Sequence, residues 1–197
     1  MKKVLVIGNG RCEKKLGLLI DNSKHFHKVI RVGKYKTLGN EEYVGTRTDI
    51  SFILNHSYNA KYHKEDIVMV YTPNMARDEA IEDIRSFDIN GNLVKPNVIH
   101  VYNKKDNEYV HDCFNSCLGK KIYDYHEINF SLGFRALILT KRDYPDCKIY
   151  TCGFDFFTKS GWHWNNKHNK NMSNRHPYLL EKLCYDKMLK KEELFKL

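Results

Sequence analysis

Three places in this chain combine residue types that could do chemistry. The first is His176-Pro177-Tyr178-Leu179-Leu180-Glu181, a His-x4-Glu at the mouth of an amphipathic stretch. A histidine at a helix start stays neutral more easily, because the positive end of the helix disfavours the imidazolium. A neutral imidazole accepts a proton near pH 7, as general base catalysis requires. Pro177 stands where the first helical residue is expected, a position that suits proline. Glu181 lies about one and a half turns further on and is not stacked under His176. On spacing alone a capping or surface histidine is the plainer reading and a general base the sharper one.

The second place is Gly8-Asn9-Gly10, directly after the apolar run Val4-Leu5-Val6-Ile7. Glycine lets backbone N–H groups approach an anion, so this turn could cradle a phosphate. It is not the dinucleotide fingerprint, because Glu13 stands where that pattern needs glycine or alanine, and it is not a Walker A loop. The third is a further glycine-centred segment, Ser131-Leu132-Gly133-Phe134. No Asp-x-Asp, the usual holder of a divalent ion on a pyrophosphate, occurs anywhere. His163, His168 and His176 fall together late in the chain, but without a tight ligand pattern or a nearby cysteine a zinc site is not expected.

The elements that must position these residues are legible as alternating patterns. Apolar runs rich in β-branched and aromatic residues read as strands at 4–7, 29–32, 50–54, 67–71, 98–102 and 148–152. Helical spacing predicts helices over 75–87 (Ala76, Ala80, Ile84, Phe87) and 107–118 (Val110, Cys113, Phe114, Cys117, Leu118). Residues 133–140 are apolar almost all round, as in a helix buried between a sheet and its neighbours. Over 177–190 the stripe is Leu179, Leu180, Leu183, Cys184 and Met188, with lysines opposite. Leu194 to Leu197 reads as an edge strand, and 34–47 and 158–175 fit no element.

Strands alternating with helices predict an α/β fold with a mostly parallel central sheet flanked by helices. Such sheets bind ligands beyond the carboxyl ends of their strands, near a switch in strand order. Gly8-Asn9-Gly10, Gly33, Asn55 and Gly153 all follow strand ends, as one nucleotide-sized cleft would require.

The 197 residues suit one domain spanning 1–197, with 158–175 as a polar, Asn-rich lid or loop that carries Trp162 and Trp164. Hydrophobic residues at 42% and charged residues at 29% read as soluble and globular. No run approaches the length of a membrane span or a signal-peptide h-region. A net charge of +9 would suit an anionic small substrate, a membrane surface or nucleic acid. The basic residues are scattered, however, and no nucleic-acid module is present, so a nucleic-acid partner is not expected. The six cysteines form no C-x-x-C pair and are expected as free thiols, with Cys113 and Cys117 as small core residues.

The ordered set of segments resembles the sialyltransferases, glycosyltransferase family 29, and more loosely the compact bacterial sialyltransferases. Val4 to Gly10, Val29 to Val32, Gly39 and Tyr43 to Asp49 resemble the large sialylmotif. Ser131 to Phe134 with Cys147 to Asp155 resembles the small one. Trp162-His163-Trp164 looks like motif III, and His176 with Glu181 like the very small motif.

The resemblance implies a Rossmann-like sugar-transferase fold, a CMP-linked donor such as CMP-sialic acid, a glycan acceptor, inversion at the anomeric carbon, and no metal or other cofactor. By that likeness Gly8, Asn9 and Gly10 cradle the donor phosphate, and Asn55 with the Ser131–Gly133 turn contacts the cytidine part. Gly153, Phe154 and Asp155 shape the nucleoside pocket. His176 is the base, while His163 or a neighbour such as Trp162 steadies the departing phosphate. Without a membrane stem, the resemblance implies a cytoplasmic form of bacterial or viral type.

Five positions, in four places, depart from the family pattern. Arg11-Cys12 replaces Pro-Ser after the glycine turn, and Gly33 replaces an asparagine. Leu132 replaces a small hydroxyl residue, and Phe157 stands where the bacterial members place a phosphate-binding tyrosine. All lie on the donor side, which keeps two rivals in view. One is a nucleotide or sugar-phosphate binding module without turnover. The other is a different Rossmann-like transferase, such as a methyltransferase, although Arg31 sits where that reading wants an acidic residue.

Overall fold

The computed structural model describes residues 1–10, 12–33, 35, 37–54, 67–71, 86–87, 93–94, 97–119, 129–156 and 176–197. Its centre is a seven-stranded sheet. The strands are β1 (Lys2–Ile7), β2 (Lys28–Val32), β3 (Ile50–Leu54), β4 (Ile67–Tyr71), β7 (Asn97–Tyr102), β8 (Cys147–Cys152) and β9 (Phe195–Lys196). Their order is β7-β4-β3-β2-β1-β8-β9, and every pairing in it is parallel. The chain builds outward from β1 in one direction through β2, β3, β4 and β7, then crosses to the other side of β1 with β8. The switch in strand order therefore lies between β1 and β8, where Gly8 and Gly153 leave the sheet.

A sheet covered on both faces makes its strands apolar on both sides, and β1 obeys this from Val4 to Ile7. The pleat sends alternate residues to opposite layers. Val4 and Val6 join Ile30, Val32, Ile50 and Phe52 in one core; Leu5 and Ile7 join Val29, Ile20 and Phe26 in the other.

The first layer holds three helices, α3 (Lys104–Leu118), α4 (Leu132–Asp143) and α5 (Tyr178–Lys190). Asn103 caps α3 by accepting from the Lys105 amide at 2.9 Å, while Asp106 accepts from the Asn103 amide at 2.7 Å. Gly119 ends it in the left-handed conformation. In α4, every residue from Phe134 to Thr140 is buried, as expected for a helix apolar all round. The opposite layer carries the short α1 (Gly17–Asp21), and α2 (Glu41–Val44) lies within the stretch that fits no pattern in the sequence. No helix among the described residues is long and apolar enough to cross a membrane.

Two expectations need correction. Ser86 and Phe87, placed at the end of a predicted helix, form strand β5 (Ser86–Phe87). It pairs antiparallel with β6 (Leu93–Val94) in a separate two-stranded sheet. Phe87 finds a cross-strand partner in Leu93, and such a partner is invisible to helical periodicity. The rest of that predicted helix lies outside the described residues. The second correction concerns α5, whose buried face is Glu181, Cys184, Tyr185 and Met188. Leu179 and Leu183, assigned to the apolar stripe, are 64% and 45% exposed.

One buried charge holds the sheet to the segment after α2. Arg31, in β2, is 1% exposed. Its Nη2 donates to the carbonyls of Val44 at 2.7 Å, Arg47 at 3.0 Å and Gly45 at 3.2 Å. Its Nε donates to Thr48 Oγ1 at 2.8 Å and to the Arg47 carbonyl at 3.2 Å. The planar fork of five donors suits such a set of carbonyls, which a lysine could answer only in part. Asp21 grips the same loop from α1, accepting from the Thr46 and Arg47 amides, each at 2.7 Å. Arg31→Met is expected to lower stability by about 3 kcal/mol, since the carbonyls lose their donors. Arg31→Lys should recover part of that loss. Urea denaturation measures both, and a loss under about 1 kcal/mol for the methionine variant would show that the loop does not depend on this residue.

Candidate functional site

The turns that leave β1 and β8 are knitted backbone to backbone. The Gly8 amide donates to the Cys152 carbonyl at 2.9 Å, and the Gly10 amide donates to the Gly153 carbonyl at 2.7 Å. The approach is too close for side chains. A Cβ on Gly153 would stand 2.6 Å from the Gly8 oxygen, and the residue has φ +68°, which L side chains rarely adopt. A Cβ on Gly10 would meet the Asp155 carboxyl at 2.7 Å. The Gly8–Gly10 turn and the Gly153–Asp155 turn are thus one structure, with the Asp155 carboxyl beside Gly10.

Two further contacts bring in the remaining segments. The position of a Gly33 Cβ lies 3.2 Å from Asn9 Nδ2 and 3.6 Å from Leu132 Cδ2. The end of β2, the glycine turn and the start of α4 therefore meet. A Gly133 Cβ would lie 3.2 Å from Phe154 Cε1, so α4 also abuts the β8 turn. The Phe154 ring stacks on Tyr185 with centroids 6.1 Å apart, and the Tyr185 hydroxyl bonds Thr151 Oγ1 at 2.6 Å.

The start of α4 is held by a buried carboxylate. Ser131 caps the helix by accepting from the Phe134 amide at 3.2 Å. Its own amide and hydroxyl both donate to Glu181, to Oε1 and Oε2 respectively, each at 2.7 Å. Glu181 has 0% exposure. The residue before the cap, Phe130, is fully buried against Phe114 and Phe134, with centroids 4.8 Å and 5.3 Å away. Burial of one such side chain contributes roughly 1.5–3 kcal/mol. Arg135, one turn into α4, donates to the Phe130 carbonyl, to Asn129 Oδ1 at 3.2 Å and to Asn107 Oδ1 at 3.3 Å. Its charge also lies close enough to Glu181 to favour the carboxylate.

His176 is tied to this same segment. Its Nδ1 lies 2.6 Å from the Asn129 carbonyl. A carbonyl only accepts, so Nδ1 carries the proton in this bond and the neutral ring keeps its lone pair on Nε2. Pro177, expected as the first helical residue, is instead the cap of α5, which begins one residue later at Tyr178; the Pro177 carbonyl accepts from the Leu180 and Glu181 amides at 2.9 Å. His176 and Glu181 therefore act on one short segment just ahead of α4, at Asn129 and Ser131.

The structure brings together Gly8, Asn9, Gly10, Ser131, Gly133, Gly153, Phe154 and Asp155, with His176 joined through Asn129. Asn55, Trp162 and His163 lie outside the described residues, as do the departures Arg11 and Phe157. Sequence reading missed Arg135 and Asn129. A charged residue in the middle of an apolar helix was the available signal for the first; the second acts through its carbonyl and had none. Among the described residues, no three His, Cys, Asp or Glu side chains group as metal ligands would.

Comparison with solved structures gives the fold its relatives. A mammalian sialyltransferase in complex with Gal-beta-1-3GalNAc-ortho-nitrophenol matches with a TM-score of 0.71 at 17% identity, over 100% of this chain and 69% of that one. A further crystal structure of a mammalian sialyltransferase matches with a TM-score of 0.68 at 18% identity, over 100% and 68%. The chain has the sialyltransferase fold; at these identities the likeness is one of fold. No family model matches the chain, and no curated protein matches its sequence.

Glu181 makes a pH-dependent contribution. Burial pushes its carboxyl above the ordinary value of 4.5, against the opposite pull of the Ser131 bonds and the Arg135 charge. The folded state then holds the proton to higher pH than the unfolded chain does. Its contribution to stability is full below pH 4.5 and is lost as pH rises through the raised folded value. Glu181→Gln cannot ionise, so the stability gap between wild type and E181Q should move against the wild type as pH rises. Urea titrations from about pH 4 to about pH 8 measure this, and a gap independent of pH would show an unshifted carboxyl.

Proposed function

We propose that the chain is an inverting, metal-independent glycosyltransferase that moves a sugar from a nucleotide donor, most simply a CMP-sugar, to a glycan hydroxyl. The observation that carries this reading is the joining of His176 to the glycine-turn site. An imidazole whose Nδ1 proton is committed to the Asn129 carbonyl offers Nε2 as a proton acceptor. The residues to which it is tethered open α4, which abuts both glycine turns.

In this reading the donor lies beyond the carboxyl ends of β1 and β8, its phosphate against Gly8, Asn9 and Gly10 and its nucleoside against Ser131, Gly133, Gly153, Phe154 and Asp155. Backbone amides at such a turn favour an anion. His176 Nε2 takes the proton from the acceptor hydroxyl as its oxygen attacks the anomeric carbon on the face opposite the phosphate. The phosphate leaves with its bonding electrons, and configuration inverts. The transition state is oxocarbenium-like, so positioning and charge stabilisation supply most of the rate. His163, Trp162 and Asn55 are assigned to the departing phosphate and the cytidine by resemblance alone. The acceptor class to try first is a galactosyl disaccharide, the kind of ligand held by one of the fold's relatives.

A second reading is a nucleotide-binding module without turnover. It is favoured by Leu132, whose side chain lies by Gly33 and Asn9, on the face where a small hydroxyl residue would serve the donor.

The reading predicts that His176→Ala lowers transfer by roughly 10²–10⁴-fold, the usual worth of a general base, with CMP affinity unchanged. Transfer assays over a panel of nucleotide sugars, with and without EDTA, measure this beside a thermal-shift series with CMP, UMP and S-adenosylmethionine. Full activity in H176A removes the base, and loss of activity in EDTA removes metal independence. Stabilisation by CMP without turnover of any donor promotes the second reading. Stabilisation by S-adenosylmethionine alone would replace both with a methyltransferase.

A further inference from the structure

Arg135 is a cation inside the apolar run of α4. It is 6% exposed, and its buried neighbours from Phe134 to Thr140 are all uncharged. Taking a guanidinium out of water is costly, so its place in the helix calls for a reason. Arg31 has one in the main-chain carbonyls of Val44, Gly45 and Arg47, which it answers in a buried setting. The acceptors of Arg135 include two side-chain oxygens, Asn129 Oδ1 at 3.2 Å and Asn107 Oδ1 at 3.3 Å. Asn129 is exposed and Asn107 half-buried, so water could serve both. The demands of these asparagines do not account for the arginine.

Its contacts converge on the segment that anchors His176. Arg135 Nη1 donates to the Phe130 carbonyl. The amide of that same peptide unit, on Ser131, donates to Glu181 Oε1 at 2.7 Å. The 130–131 peptide is therefore gripped at both ends, by a cation on α4 and a carboxyl on α5. Nη2 of the same guanidinium holds the Asn129 side chain. Between these grips lies the 129–130 peptide, whose carbonyl stands 2.6 Å from His176 Nδ1. The Phe130 ring, buried against Phe114 and Phe134, fixes where the chain passes. A buried ring does not fix which way the preceding carbonyl faces, since the peptide plane can still turn about its own dihedrals.

We propose that Arg135 is a positioning residue for the base: by clamping residues 129 and 130 it aims the Asn129 carbonyl and so holds the His176 proton on Nδ1. The inference rests on the reading of His176 as the base, and it names what keeps that base in its reactive form. A neutral imidazole has one N–H and one lone pair. Which nitrogen carries the proton is set by the bond the other part of the ring makes. In water the proton of a free imidazole resides mainly on Nε2, the wrong place for a base that must accept there. The Asn129 carbonyl reverses that preference only while it stays in line with Nδ1.

A swing of the 129–130 plane would end the bond and let the ring turn and change tautomer. The planar fork of the guanidinium resists that swing, because it reaches a side chain and a carbonyl from adjacent residues at fixed spacing. Its third contact, from Nε to Asn107 on α3, keeps the fork itself from turning. An ammonium could supply the charge without this geometry.

The test reads the tautomer directly. Long-range proton–nitrogen NMR spectra of the whole labelled chain at about pH 8, where an ordinary imidazole is neutral, tell the protonated ring nitrogen from the bare one. The H176A spectrum identifies the His176 signals among the ten histidines. In the wild type Nδ1 should carry the proton. In Arg135→Met that signature should give way to a mixture dominated by Nε2–H, and Arg135→Lys should recover part of it. Asn129→Ala removes one grip and keeps the main-chain carbonyl, so its change should be smaller. In transfer assays R135M should lose roughly 10–10²-fold in kcat, with donor KM and stabilisation by CMP unchanged. An arginine of purely structural worth would lower the Tm and leave the tautomer and kcat of the folded protein where they were. The proposal is overturned if folded R135M keeps its proton on Nδ1. Should R135M not fold, an unchanged tautomer in N129A overturns it instead. If the wild type transfers sugar from no donor, the glycosyl-transfer reading falls, and the tautomer still decides whether Arg135 sets the imidazole.

Discussion

A carboxylate without solvent must be answered by donors, and Glu181 dictates much of what surrounds it. It lies on the buried face of α5 and takes both the amide and the hydroxyl of Ser131. That demand turns the helix so that Leu179 and Leu183 face water while Tyr185 and Met188 face the core. It also fixes the cap of α4, whose first turn reaches Gly33, Asn9 and Phe154. Removing one partner of such a buried group leaves the other uncompensated, which costs more than the bond itself is worth.

Buried arginines repeat the pattern. Arg31 ties β2 to the 44–48 segment through main-chain carbonyls, and Arg135 ties α4 to Asn129 and Phe130. Both guanidinium groups serve irregular chain that would otherwise present carbonyls to an apolar interior without partners. The apolar layers set where sheet and helices lie. The buried charges set where the loops that leave the sheet must run.

Much of this architecture was legible in the sequence. The runs at 50–54 and 67–71 match β3 and β4 residue for residue, and β1, β2, β7 and β8 extend their predicted runs by one or two residues. Continuous apolar runs identify parallel strands because both faces are covered, and 194–197 does contain the edge strand β9. The glycine turns were legible for a related reason, since a residue without Cβ advertises close backbone approach. What escaped were features decided by partners outside the local periodicity. Phe87 pairs with Leu93 in the β5–β6 ladder instead of continuing a helix. The α5 stripe was misread because hydrophobicity ranks Leu183 above Glu181, and only the Ser131 donors reverse that order.

The bond that orients His176 has an unusual property. Asn129 contributes its main-chain carbonyl, and every amino acid brings the same group. The anchoring group is therefore kept whatever side chain stands at 129. Replacement there removes only the Oδ1 that accepts from Arg135 and helps to hold the peptide in place. The anchor can be disturbed only by displacing the peptide itself, through the Arg135 and Phe130 contacts that hold it. A part of the site can in this way persist while sequence likeness fades, carried by the path of the chain and not by the identity of any residue along it.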